Sequence, residues 1–256
     1  MNIQEKIDRR WSRSAVGYSC IVCDELHSFR PAAWVSLIAT QLGSESGREV
    51  LDIGTGPGFF SIILAQAGYR TTGIDCSAAM LEQAKRNAVA QNVAPTFALM
   101  DSHELTFPDN HFDLVLSRNV TWTQLQPVKA YQEWKRVLKP GGTLLVFDAN
   151  WNRYRYDEGL MAQVLEREQK FRARYGAPYD TYEGPEEERE LGIALPLDSQ
   201  VRPWWDNGVL SALGFENIVN DLDITQQVWD EKERLLYGAT PMFMIVAQKT
   251  KKEIMA

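Results

Sequence analysis

The stretch EVLDIGTGPGFFSIILAQAG, residues 49–68, places three glycines and a proline between two apolar runs, VLDI and FFSIILAQA. Glycine lacks a side chain, so a glycine-rich turn lets the backbone approach a ligand closely. A helix that begins directly after the turn favours a negatively charged group at its N-terminus. The stretch therefore predicts a buried strand, a tight turn and a helix, with an anionic or zwitterionic ligand at the turn.

The same order of strand and helix recurs along the chain on the C-terminal side of this turn. RTTGID is followed by SAAMLEQAKRNAVAQ, and FDLVLS is followed by PVKAYQEWKRVL. Alternation of this kind predicts a parallel sheet covered by helices. VLDI, FDLVLS and TLLVFDA are almost continuously apolar, which is typical of strands buried on both faces. We expect these three strands in the middle of the sheet.

Composition and charge narrow the class of partner. The chain has 256 residues, a formal net charge of -7 and a pI near 5.1, and an acidic protein repels the phosphates of nucleic acids. No stretch reaches the ~20 apolar residues that span a bilayer, and the N-terminus lacks the apolar core of a signal peptide. We therefore expect a cytoplasmic protein that binds a small molecule, with neither a nucleic acid nor a membrane as partner. The oligomeric state stays open.

Three cysteines, Cys20, Cys23 and Cys76, are too few for a disulfide framework. Cys20 and Cys23 have the C-x-x-C spacing, but no second pair and no histidines at zinc spacing follow them. We expect no metal site.

Two cofactor classes compete for the glycine turn. A dinucleotide site requires G-x-G-x-x-G, and here the third glycine position holds Phe59. An S-adenosylmethionine site requires an acidic residue followed by G-x-G-x-G, which Asp52, Gly54, Gly56 and Gly58 supply. A carboxylate at this place repels a pyrophosphate and attracts an ammonium group. The spacing favours S-adenosylmethionine over NAD.

Four ordered motifs, VLDIGTGPG, GIDCSAAML, LMDSHELTFPDNHFDLVLS and RVLKPGGTLLV, resemble those of the class I S-adenosylmethionine-dependent methyltransferases. The resemblance is strong over residues 49–148. It implies a doubly wound, Rossmann-like α/β fold with seven strands, of which the last is antiparallel. It also implies four regions: an N-terminal helical flap (1–43), the cofactor-binding core (44–150), an inserted helical lid (151–203) and the C-terminal part of the core (204–256).

The resemblance also implies roles for individual residues toward S-adenosylmethionine. Asp52 and the glycine loop (Gly54, Thr55, Gly56, Gly58) hold the methionine part, and Asp75 accepts hydrogen bonds from the ribose hydroxyls. Cys76 and Met80 line the adenosine, and Asp101 accepts the adenine amino group with Ser102 beside it. Ser117 faces the methionine end, and Tyr18 of the flap shields the methyl group.

The sequence says less about the molecule that accepts the methyl group than about the cofactor. The segment Arg118–Thr121 partly resembles the R-N-V-T segment of ubiquinone and menaquinone C-methyltransferases, so a quinone-type acceptor is one alternative. A non-catalytic S-adenosylmethionine-binding regulator is another. We expect His103 and His111 on the surface and His27 as the candidate proton acceptor. The predicted acceptor contacts are Asn119, Trp122, Trp151 and Tyr154.

Overall fold

The computed structural model describes residues 3–42, 47–178, 180–183 and 195–251. The helices of these ranges are α1 (Ile3–Leu26), α2 (Arg30–Leu42), α3 (Phe59–Gln66), α4 (Ala78–Ala90), α5 (Pro127–Val137), α6 (Glu158–Tyr175), α7 (Trp204–Ala212), α8 (Thr225–Val228) and α9 (Glu231–Tyr237). The strands are β1 (Glu49–Ile53), β2 (Arg70–Asp75), β3 (Thr96–Leu99), β4 (Phe112–Arg118), β5 (Leu138–Asp148), β6 (Phe215–Asp221) and β7 (Phe243–Lys249). Short 3₁₀ turns cover Thr121–Thr123 and Arg153–Tyr156.

One seven-stranded sheet has the order β3-β2-β1-β4-β5-β7-β6. The pairs from β3 to β5 are parallel, and β7 runs antiparallel to both β5 and β6. The predicted seven-stranded, doubly wound sheet with an antiparallel last strand is therefore confirmed. The chain reverses its winding direction between β1 and β4, and a sheet of this kind binds ligands at the carboxyl ends of its strands near that point.

The strands in the middle of the sheet are buried on both faces, as their apolar sequences predict. In β1, Val50 packs into the core on one face, and Leu51 and Ile53 pack into the core on the other. The first core is centred on Trp34, whose ring meets Phe60 and Phe147 edge-on at 5.0 and 4.9 Å. Such aromatic contacts add to the free energy gained from area burial alone.

The helix boundaries follow local signals. The Ser77 hydroxyl accepts the Met80 amide hydrogen at the start of α4, and Pro127 occupies the first turn of α5. LKPGG is predicted to close α5 before the next strand. Instead β5 begins at Leu138 and its register against β4 shifts at this point. Gly141 adopts φ +79°, which absorbs the irregularity without breaking the strand.

The region predicted to be an inserted lid (151–203) contains α6, and residues 184–192 of its acidic stretch EGPEEERELG (183–192) lie outside the described residues. α6 packs against α9, where Arg167 donates to the Arg234 carbonyl at 3.1 Å. Residues 180–183 run along α1, and the Glu183 amide donates to the Arg13 carbonyl at 3.1 Å. Among the described helices, none is long and apolar enough to cross a membrane.

Candidate functional site

The glycine turn after β1 leaves open space at one position. Gly54, Gly56 and Gly58 all have positive φ angles, of 63°, 53° and 94°. A Cβ on Gly54 would lie 2.5 Å from Val120 Cγ2, whereas a Cβ on Gly56 would meet no atom within 4 Å. On Gly58 it would lie 3.1 Å from Ala84 Cβ, so this glycine serves the packing of α3 on α4. The space for a ligand is therefore at Gly56.

Asp52 is buried at the end of β1 and organises the turn. Its Oδ2 accepts hydrogen bonds from the Thr55 hydroxyl at 2.6 Å and from the Ser61 amide and hydroxyl at 3.0 and 2.8 Å. Burial raises the pKa of Asp52 to about 6, although these hydrogen bonds oppose the shift. A cation placed beside this carboxylate would restore its charged form.

Asp75 is buried at the end of β2, the neighbouring strand. Its Oδ2 accepts the Gly56 amide hydrogen at 2.9 Å, and its Oδ1 accepts the Ser77 amide hydrogen at 2.9 Å. Burial raises the pKa of Asp75 to about 6 against the effect of these two bonds. Each carboxylate oxygen has a second lone pair, so Asp75 can still accept hydrogen bonds from a ligand.

Asp101 follows β3, the next strand in the sheet. Its Oδ1 accepts the His103 amide hydrogen at 2.8 Å and lies 2.6 Å from His103 Nδ1. Partial burial opposes ionisation, but the hydrogen bonds from His103 lower the pKa of Asp101. The prediction that His103 is a surface residue is wrong, because the residue is 7% exposed and its ring is enclosed between Asp101 and the Gln126 amide. His111 is exposed, as predicted.

The three acidic residues share one pocket of about 1120 Å³, a volume that includes its opening to solvent. α1 covers the pocket with Ile7, Trp11, Tyr18 and Val22, which recur at helical spacing on one face. Eleven predicted site residues line it: Tyr18, Asp52, Gly54, Thr55, Gly56, Asp75, Cys76, Met80, Asp101, Ser102 and Asn119.

Two predicted cofactor contacts do not line the pocket. Gly58 lies against Ala84, as described above. Ser117 is fully buried near the end of β4, and its hydroxyl has no hydrogen-bond partner among the described residues. Its neighbours Arg118 and Asn119 reach the pocket instead, because side chains alternate between the faces of a strand and the chain leaves the sheet here.

The predicted proton acceptor and three predicted acceptor contacts lie elsewhere. His27 is exposed just after the end of α1, and its Nδ1 is 2.7 Å from the Cys23 carbonyl oxygen. Trp151 donates to Asp148 at 3.0 Å and packs on Tyr237. Tyr154 lies on the 3₁₀ turn beside Arg155, and Trp122 meets the pocket residue Trp11 edge-on at 6.3 Å. Of the lid residues that the structure describes, none lines the pocket.

Arg118 connects the pocket to the helix that covers it, and the sequence patterns did not identify this. Its guanidinium donates to both carboxylate oxygens of Glu25 on α1, at 3.1 and 2.8 Å. The same group stacks over Phe59 at 4.6 Å. At the other end of the covering segment, the Ser12 and Ser77 hydroxyls lie 3.1 Å apart. These contacts hold α1 over the pocket at both ends of the covering segment.

A second group of acids at the carboxyl end of the sheet is closed off from the pocket. Arg202, with a side chain 1% exposed, contacts Asp148 at 2.7 Å and Asp206 at 2.8 Å. Tyr131 donates to Asp206 at 2.6 Å, and Thr121 donates to Asp148. Because every acid here meets a cation or a hydroxyl, this cluster joins the lid to the core and leaves no site for a ligand.

Part of the chain is similar in sequence to known proteins. Residues 51–146 match the family model described as a methyltransferase domain. The chain is 31% identical over 135 residues to a ubiquinone biosynthesis O-methyltransferase of Alkalilimnicola ehrlichii, covering 52% of this chain and 54% of that protein. It is 38% identical to a demethylmenaquinone methyltransferase of Tropheryma whipplei, covering 47% and 50%.

The fold is also shared with a solved structure. A putative S-adenosylmethionine-dependent methyltransferase from Methanococcus maripaludis superimposes with a TM-score of 0.63 and covers 95% of both chains at 20% identity. At this identity the likeness is one of fold: the chain has the same fold as this S-adenosylmethionine-dependent methyltransferase structure. The match to the methyltransferase family model covers residues 51–146, which hold the glycine turn and most of the first five strands. It spans about half the length of the two curated relatives that it matches here.

Proposed function

We propose that this protein binds S-adenosylmethionine in the pocket under α1 and transfers its methyl group to a small-molecule acceptor. One observation carries the proposal. Acids at the ends of three adjacent strands, Asp52, Asp75 and Asp101, line the same pocket as the open space at Gly56. Carboxylates only accept hydrogen bonds, so the pocket suits a ligand with donors at three separated places.

S-adenosylmethionine has donors of this kind: an ammonium group, two ribose hydroxyls and an adenine amino group. In this proposal Asp52 holds the ammonium group, Asp75 the ribose hydroxyls and Asp101 the amino group. Asp52 and Asp75 have pKa values raised to about 6 by burial, so a cationic or donating ligand gains by stabilising their charged forms. Met80 and Cys76 line the wall beside Asp75.

The chain contributes positioning and the exclusion of water. The bound cofactor supplies an activated methyl group on a sulfonium, which leaves by in-line displacement. Tyr18 and Trp11 cover the pocket, and Asn119 lies at its β4 side. Burial raises the pKa of Tyr18, so its phenol is neutral near pH 7 and has a hydrogen to donate to a ligand. The proposal assigns no general base to the described residues, since His27 lies outside the pocket.

A quinone-type acceptor is the second candidate. The segment Arg118–Thr121 matches R-N-V-T, and Arg118 and Asn119 of this segment line the pocket. The two relatives described above are named as a ubiquinone biosynthesis O-methyltransferase and a demethylmenaquinone methyltransferase. The charge of Arg118 is compensated by Glu25, which is compatible with an uncharged ring beside it.

Two measurements test the proposal. Calorimetry with S-adenosylhomocysteine is expected to show one site, and labelled S-adenosylmethionine is expected to pass its methyl group to an acceptor in a metabolite extract. A reduced short-chain quinone offered as sole acceptor tests the second candidate. Binding without any transfer would support a non-catalytic regulator. A protein that binds neither nucleoside would contradict the proposal as a whole.

A further inference from the structure

His103 is a buried histidine at the edge of the pocket, and it has no role in the proposed methyl transfer itself. We propose that it is a positioning residue, which fixes the Asp101 carboxylate so that the pocket prefers a 6-aminopurine to a 6-oxopurine. This inference rests on the proposed function, because it concerns the adenine end of the same pocket. It adds a determinant of cofactor specificity to which the resemblance assigned no role.

The contacts of His103 determine which of its ring nitrogens carries the proton. Nε2 accepts the Gln126 amide hydrogen at 3.3 Å and so cannot itself carry a hydrogen. The proton is then on Nδ1, which lies 2.6 Å from Asp101 Oδ1 and donates to it. The His103 backbone amide donates to the same oxygen at 2.8 Å. Two donors from one residue therefore hold one oxygen of Asp101.

Without these two hydrogen bonds the Asp101 carboxylate would be free to rotate, because much of it is exposed to water. Its side chain is 54% exposed, and an exposed carboxylate rotates freely unless hydrogen bonds restrain it. With Oδ1 engaged by both His103 donors, Oδ2 is left to accept a hydrogen from a ligand. Both residues line the pocket, so the restrained carboxylate lies where a purine edge can meet it.

His103 also joins the two loops that border this part of the pocket. One loop follows β3 and carries Asp101, and the other follows β4 and carries Gln124 and Gln126. Besides the His103–Gln126 bond, the Ser102 hydroxyl donates to Gln124 Oε1 at 2.8 Å. α5 begins directly after Gln126. Through His103, the orientation of Asp101 therefore depends on the start of a regular helix rather than on a free loop.

The chemical consequence is discrimination at purine position 6. An amino group there donates a hydrogen to the fixed carboxylate, whereas a 6-oxo group presents an oxygen to it and is repelled. A hydrogen bond to a charged group corresponds to at least about a tenfold difference in affinity. If Asp101 were free to rotate, it would turn away from the 6-oxo group and the difference would shrink.

The test compares the Kd of S-adenosylhomocysteine with that of S-inosylhomocysteine by calorimetry. The unmodified protein is expected to prefer the adenosine compound at least about tenfold. His103→Asn keeps an amide nitrogen near the place of Nδ1 and is expected to keep the preference. His103→Gln and His103→Phe lack a donor there and are expected to reduce it to below about threefold. His111 is the exposed histidine of the same loop, so His111→Asn is the matched control and is expected to leave both Kd values unchanged.

The ratio of the two Kd values separates positioning from a purely structural role. If His103→Gln weakens both ligands equally and leaves the ratio intact, the inference is overturned. It is equally overturned if His103→Asn and His103→Gln lose the preference to the same extent. Should His103→Phe fail to fold, the Asn and Gln variants still decide the question. Failure of the unmodified protein to bind S-adenosylhomocysteine would instead contradict the proposed function.

Discussion

Two groups of aspartates lie at the carboxyl end of the same sheet, but only one group has a buried cation as its partner. Asp52 and Asp75, at the ends of β1 and β2, accept hydrogen bonds from amides and hydroxyls and face the pocket. Asp148, at the end of β5, and Asp206 on α7 share the buried guanidinium of Arg202. Among the described residues, no Lys or Arg forms a salt bridge with Asp52 or Asp75.

The difference shows what turns a buried aspartate into a ligand site. A buried charge is costly unless a partner compensates it. The protein supplies that partner to Asp148 and Asp206, and the cluster is complete without a ligand. At Asp52 and Asp75 all direct hydrogen bonds come from neutral donors, Arg118 acts on Asp52 only through space, and burial raises both pKa values to about 6. In the proposed function the ammonium group of the cofactor brings a positive charge to Asp52, and its ribose hydroxyls bring further hydrogen-bond donors to Asp75.

Removal of the internal cation should have the largest effect. Arg202→Leu leaves Asp148 and Asp206 buried without a counter-charge, which is expected to cost about 3–5 kcal/mol of unfolding free energy. Denaturant unfolding measures this. Arg86→Met, which breaks the exposed pair with Glu82, is the control and should change stability by less than about 1 kcal/mol. Equal effects of the two variants would contradict the distinction between the two groups of aspartates.

Removal of a pocket acid should instead affect binding. Asp75→Ala is expected to weaken S-adenosylhomocysteine binding by about 1.5–3 kcal/mol, because at least one hydrogen bond to a charged acceptor is lost. Its effect on unfolding free energy should be smaller than that of Arg202→Leu. Asp109→Ala, at a carboxylate 66% exposed, serves as the control in calorimetry. An unchanged Kd in Asp75→Ala would remove Asp75 from the site.

Substitutions at two glycines of the turn should also differ, one mainly in ligand binding and the other mainly in stability. Gly56→Ala places a methyl group in the open space of the pocket, and we expect ligand binding to weaken by about 1–2 kcal/mol. Gly58→Ala places it against Ala84, so its main effect should be on Tm. Each substitution also costs about 1–2 kcal/mol of stability because φ is positive at both positions. A larger loss of binding in Gly58→Ala would reverse the assignment.

The smallest expected effect is a pH dependence confined to the pocket acids. Their folded pKa values lie above the ordinary value, so their contribution to stability is complete below pH 3.8 and is lost as pH rises through about 6. In the proposed complex S-adenosylmethionine contacts the charged forms, so its affinity should rise between pH 5 and 7, by less than about tenfold per pH unit for each acid, and then level off. Calorimetry in Asp52→Asn should show a flatter profile. A profile that falls with pH would contradict this assignment.

Much of the site could be predicted because the relevant signals are local. The strand, turn and helix around Asp52 are contiguous, and an acid at the end of the next strand must lie beside them in a parallel sheet. Acceptor contacts were predicted less well. Trp151 and Tyr154 follow β5, but their surroundings depend on how the lid folds back, and Trp151 packs on Tyr237 from a distant part of the chain.

His103 and Arg118 show a further limit. Nothing in the spacing around His103 indicates burial, because its enclosure depends on Gln126 from another loop. Arg118 was recognised only as part of a short motif, while its partner Glu25 lies 93 positions earlier. Contacts between residues so far apart leave no periodic pattern in either segment.

The sequence by itself determined the order of strands and helices, the glycine turn and the acids at the strand ends, since apolar periodicity and backbone requirements act over a few neighbouring residues. Only the tertiary structure decided which aspartates receive an internal cation, which contacts hold α1 over the pocket, and that the described part of the lid lies outside it. These features depend on the distances between side chains from separate segments, and the fold brings those segments together only once the sheet is formed.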